Sequence, residues 1–168
     1  DGFLTLDELY AEIEEVIGKY RNMKFILAHF YFMSDNHDRL CRFLDENPHV
    51  YLDLTPGGEM YVNFTKDPAL WKDFFLRYSH RIILGSDHYA LGHGKVRYEL
   101  ARSYLEGSAP FDYYGDTVLP VGYPKEVLEN IYWNNIHSLI GKTPKPVDRK
   151  KAYAHCQYIL ESRFDQLT

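Results

Sequence analysis

A chain of 168 residues that is 45% hydrophobic and 26% charged has enough apolar mass for one domain with its own core. Its formal net charge of −5, with no run of basic residues, excludes the electrostatic footprint of a nucleic-acid binder. No apolar stretch reaches the roughly 18–20 residues that cross a bilayer, and the amino-terminal residues lack a signal-peptide layout, so the expected setting is cytoplasmic with no membrane partner. The chain starts at Asp1 with no initiator Met and is expected to be a processed or truncated product. Cys41 and Cys156 stand far apart, in neither a zinc nor a redox spacing, and read as free thiols of a reducing compartment. The 15 tyrosines and 10 phenylalanines read first as large core side chains and only second as an aromatic ligand surface.

Residues 5–20, TLDELYAEIEEVIGKY, place Leu6, Leu9, Tyr10, Ile13, Val16 and Ile17 at helical spacing, and Thr5 with Glu8 fits a capping box. KFILA (24–28) is a short apolar strand that ends at His29. A helix is expected over 37–47, halted by Pro48, and a second strand over HVYLDL (49–54). TPGGEMYVNFTKD (55–67) reads as a loop, Pro68 opens a helix to about Tyr78, and IILGS (82–86) is the third strand. A helix follows over about 95–106, then a Gly-, Pro- and Asp-rich loop over 107–123. Another helix runs from Pro124 to a stop at Gly141, KTPKP is a linker, and a last helix covers about 148–164. Residues 1–147 are expected to form one domain, with 148–168 an appended carboxyl-terminal helix.

Apolar strands alternating with helices predict a parallel sheet built by right-handed crossovers. Three such strands leave two edges with unpaired backbone groups. A complete (β/α)₈ barrel takes about 250 residues. More sheet from elsewhere, or a second copy of the chain, is therefore expected to cover those edges.

In parallel α/β folds, chemistry collects at the carboxyl ends of the strands. The sequence sets His29 after the first strand, Asp53 and Thr55 at the end of the second, and Asp87 after the third, in RIILGSDHY (81–89). A carboxylate with imidazoles at such an edge suits a divalent ion that activates water. The plainer readings compete: a His after a strand is commonly structural, an Asp after Gly-Ser is often a helix N-cap, and Asp53 is expected to pair with a backbone or basic group. His88 and His93 flank a loop that could touch substrate, whereas His37, His49, His80, His137 and His155 read as structural. LGHGK (91–95) fails the phosphate-loop spacing, and no G-x-S-x-G elbow occurs.

KFILAHF (24–30), VYLDLTPGGEMY (50–61), RIILGSDHY (81–89) and EVLENIYWNNIHSLIG (126–141) together resemble the carboxyl-terminal part of the amidohydrolase-2 family, over roughly residues 3–148. That family comprises metal-dependent hydrolases and decarboxylases. The resemblance implies the C-terminal part, about strands 6–8, of a (β/α)₈ TIM barrel. It makes Asp87 the metal ligand and proton-relaying acid and His29 the catalytic group facing water and substrate. Asn134 and Asn135 would be structural. The implied cofactor is a divalent metal, zinc in most members, on a site that is incomplete here because no His-x-His occurs in the chain. His88 also stands where a small or apolar residue would be expected.

The function expected is thus hydrolysis of a small carboxylate or amide through a metal-activated water. Alternatives are non-oxidative decarboxylation on the same site, or a non-catalytic half-barrel that self-associates or binds a partner. A nuclease-type metal barrel fits poorly with the acidic balance.

Overall fold

The computed structural model describes residues 2–55, 57–87 and 94–164. Helix α1 (Leu6–Lys19) starts at the expected capping box: the Thr5 hydroxyl accepts from the Glu8 amide, and the Glu8 carboxylate reaches back to the Thr5 amide at 2.7 Å. Strand β1 (Phe25–Leu27) follows, then a tight turn over Ala28–Phe32. Helix α2 (His37–Glu46) opens on the Asn36 side chain and turns Leu40, Phe43 and Leu44 inward. Strand β2 (Val50–Asp53) buries Val50 and Leu52 on one face.

Two helices stand between β2 and the next strand: α3 (Gly58–Lys66) and α4 (Pro68–Tyr78), the second with Asp67 as N-cap and Pro at its first position. Strand β3 has two residues, Ile82–Ile83. Beyond it come α5 (Gly94–Glu106) and an antiparallel hairpin, β4 (Phe111–Tyr113) and β5 (Asp116–Val118), turned by Tyr114 and Gly115 with φ of 52° and 91°. Helix α6 (Lys125–Glu129) passes through one wide turn (Asn130–Asn134) into α7 (Asn135–Ile140), and Gly141 stops it at φ 87°. Helix α8 (Arg149–Phe164) follows an extended linker.

The three parallel strands pair in the order β1-β2-β3, with Phe25 opposite Val50 and Leu52 opposite Ile82. The expectation of strands 6–8 of a (β/α)₈ barrel is overturned. Strands of two to four residues span about 7–13 Å, β2 and β3 are separated by two helices, and a separate two-stranded sheet follows α5. Helices dominate, and the parallel strands form a small open sheet among them. The run 55–67 carries a helix where a loop was expected, because Met60, Tyr61 and Phe64 line one buried face after the Gly57–Gly58 break. The expected loop 107–123 contains the hairpin.

The core is aromatic. Phe64 sits at its centre, with ring centroids 5.0 Å from Phe30, 4.7 Å from Trp71, 5.4 Å from Phe75 and 5.5 Å from Tyr104. Arg81 is buried and donates to the carbonyls of Leu44 (2.8 Å) and Asn47 (3.0 Å), so a guanidinium caps the carboxyl end of α2. Asn135 joins α7 to the β3 entry through bonds to the carbonyls of Ser79 and Ile82, which makes it structural. No helix among the described residues is long and apolar enough to cross a membrane.

His80 is exposed at the surface, yet partial burial of its ring and then the neighbouring Arg81 charge lower its affinity for a proton. The unfolded chain, with an ordinary imidazole, takes up that proton near pH 6.5, before the folded chain does. Stability is therefore full above that pH and falls as pH drops from it towards the lowered folded value. We expect the urea midpoint to decrease between pH 7.5 and 5.5, and His80→Gln to flatten that slope. An unchanged slope would remove His80 as its source.

Candidate functional site

All three parallel strands end at the same edge of the sheet: His29 and Asp87 lie past β1 and β3, and Asp53 is the last residue of β2. His29 is two residues beyond β1, in a turn whose residues His29, Phe30, Tyr31 and Phe32 have φ of 53°, 55°, 59° and 52°. Left-handed backbone costs an L-residue about 1–2 kcal/mol, so four in succession need support from outside. Phe30 supplies part of it from the core. Tyr31 stacks on Phe43 at 4.9 Å, and the Tyr10 hydroxyl of α1 lies 3.2 and 3.1 Å from the carbonyls of Tyr31 and Phe32, sharing its proton between them. Strain held this way tends to collect at functional sites. The His29 ring leans on Phe32 at 5.1 Å and is half-buried.

Asp53 accepts from both the amide and the hydroxyl of Thr55. A Cβ at Gly85 would land on that carboxylate and hydroxyl, so only glycine lets the exit of β3 pass so close. Asp53 therefore closes the turn that leaves β2, with the exit of β3 packed against it, and is a backbone-paired acid.

Asp87 lies four residues beyond β3 at φ 45°, a conformation that Asp and Asn adopt more readily than other side chains. Its partner is Arg97, in the first turn of α5. One guanidinium nitrogen, Nη1, donates to the Asp87 carbonyl (2.9 Å), the Asp87 carboxylate (3.3 Å) and the Ser86 carbonyl (3.3 Å). The other two nitrogens of Arg97 make no hydrogen bond among the described residues. The Asp87 side chain is about half exposed and that of Arg97 about one-third. No hydrogen bond or ion pair joins His29 to Asp87 among the described residues, so they lie at one edge without direct contact. Sequence reasoning missed Arg97, since an arginine ten residues past the acid carries no spacing signal. His88 and His93 lie outside the described residues.

No protein-family profile matches the chain, and neither the curated proteins nor the solved structures compared with it give a match.

The metal implied by the family resemblance meets a poor donor set. Among the described residues no three His, Cys, Asp or Glu side chains are placed to hold an ion, and the Asp87 carboxylate is engaged by a cation of the chain itself. These residues do not fit a metal centre on their own.

A second grouping lies on α2. The Cys41 thiol is 3.5 Å from His37 Nε2, and His37 Nδ1 is 3.1 Å from the Asp38 carboxylate. Burial pushes the Cys41 thiol up, away from the thiolate a nucleophile needs. The His37 ring packs edge-on to Trp71 at 5.3 Å. This trio is an i, i+4 helix contact with a packing role.

Proposed function

We propose that this chain acts on a small carboxylate or amide substrate at the carboxyl end of β1–β3, by hydrolysis, with decarboxylation as the alternative chemistry. The observation that carries this reading is the Arg97–Asp87 pair past β3, at the same strand edge as the left-handed His29 turn past β1. Arg97 uses one nitrogen to fix the Asp87 loop and has two more, without a hydrogen bond among the described residues, to donate to a carboxylate or carbonyl oxygen of the substrate. Asp87 stands beside that position as the proton acceptor for attacking water, and His29 is the group to stabilise the oxyanion that develops.

Asp87→Asn is a clean test because asparagine tolerates the same backbone conformation. We expect the purified protein, assayed on a panel of small N-acyl amides and carboxylates with and without added zinc, to lose roughly 100- to 10,000-fold in kcat on Asp87→Asn. We also expect Arg97→Lys to raise KM more than it lowers kcat. Turnover that survives Asp87→Asn, or no turnover on any compound, overturns the reading and leaves a partner-binding module.

A further inference from the structure

Helix α1 is anchored by Tyr10 and Ile17, which are buried, yet it carries a second apolar face. Leu6, Leu9, Ile13, Val16 and Tyr20 are 42–60% exposed. Their spacing of 3, 4, 3 and 4 residues is that of a coiled-coil seam, which needs a helix lying along it. Glu12 stands on the flank of this seam. Asp7 and Glu14 are bound by Arg39, and Glu8 belongs to the cap, but Glu12 and Glu15 have no partner among the described residues.

Helix α8 has no buried side chain among the described residues. Every residue from Gly141 to Glu161 is exposed, including Tyr153 at 66% and Leu160 at 60%. An isolated helix of this length is marginal in water. Its first turn is basic: Arg149, Lys150 and Lys151 have no ion-pair partner among the described residues. Tyr153, Cys156 and Leu160 again show 3, 4 spacing.

The exposed area gives the scale. The chain exposes 11590 Å², against about 8,600 Å² for a compact protein of its mass. The excess is several times the roughly 800 Å² that each partner contributes to a standard interface.

We propose that α8 of one copy of this chain packs along the α1 seam of a second copy, reciprocally, to give a two-fold dimer by helix exchange. Charge selects this pairing. Two α1 seams face to face would bring Glu12 against its own kind, whereas α8 carries Arg149 and Lys150 at the start of its Tyr153, Cys156 and Leu160 face. The dimer is independent of the catalytic reading, since it uses none of His29, Asp87 or Arg97.

The test is sedimentation equilibrium of the full chain, with circular dichroism to verify that each variant is folded. The unaltered chain is expected to be a dimer that weakens in 0.5 M NaCl. Ile13→Asp and Leu160→Asp, both at exposed positions, should each raise the dimer Kd roughly tenfold or more. An equimolar mixture of the two variants should recover part of the association, because each supplies the element the other has lost. Three results overturn the proposal: a chain monomeric at every concentration, a dimer indifferent to Leu160→Asp, or cross-linking of α8 to α1 within a single monomer.

Discussion

Phe64→Ala should lower the unfolding free energy by about 3–5 kcal/mol, the range for emptying a large aromatic site in a core that closes up only in part. Phe64 is fully buried and comes from α3, and its neighbours come from three other places: Phe30 from the left-handed turn, Trp71 and Phe75 from α4, and Tyr104 from α5. Removing the ring opens a cavity where four segments meet, and none of these rings can close it without breaking its other edge-to-face contacts. Urea unfolding followed by tryptophan fluorescence is the measurement, since Trp71 lies 4.7 Å from the lost ring. The midpoint should fall with the slope unchanged. A loss below about 1 kcal/mol would mean that the cluster repacks freely, contrary to the density expected of a native interior.

Arg81→Met should cost about 3 kcal/mol. Methionine keeps much of the buried volume and removes the donors, so the effect isolates polar function from packing. Arg81 bonds the carbonyls of Leu44 and Asn47 and lies over the Tyr78 ring at 5.3 Å. Without it, two buried carbonyls at the end of α2 lose a charge-assisted donor, each such loss being worth about 1.5–3 kcal/mol. The same residue opens the run that leads through β3 to Asp87, so its loss also loosens the base of the candidate site. Thermal unfolding of the variant should show this loss, and Arg81→Lys should recover only part of it, because an ammonium lacks the planar fork. A variant as stable as the parent would show the cap to be dispensable.

Much of the helical framework was legible in the sequence because its signals are local. The Thr5–Glu8 box, the α2 stripe of Leu40, Phe43 and Leu44, Pro68 at a helix start and Gly141 at a helix stop all act within a few residues. The parallel pairing was legible as well, from apolar runs that alternate with helices. The larger architecture was not. Whether three short strands belong to a barrel depends on what packs between and beside them, and α3 and the hairpin changed that. The GG pair disguised α3, and the hairpin's turn, Tyr114–Gly115, lacks the Asn-Gly or Asp-Gly signature.

The candidate site divides in the same way. That His29 and Asp87 follow strands and that Asp53 ends one could be read directly, as could an expected backbone partner for Asp53. The left-handed turn at His29 could not, because aromatic residues carry no preference for positive φ. It arises from the packing of Phe30 and Tyr31 and from the Tyr10 hydroxyl of a distant helix. Arg97 likewise reaches Asp87 only because α5 starts beside the β3 exit.

The carboxyl edge of the sheet as the substrate face is tested most directly by a ¹⁵N–¹H spectrum of the full chain titrated with small carboxylates such as acetate, benzoate and malonate. Saturable shifts confined to residues 29–32, 53–55, 84–87 and 97, and abolished by Arg97→Lys or Arg97→Met, are the predicted result. Saturable shifts elsewhere, or none up to the solubility limit of the probes, would contradict it.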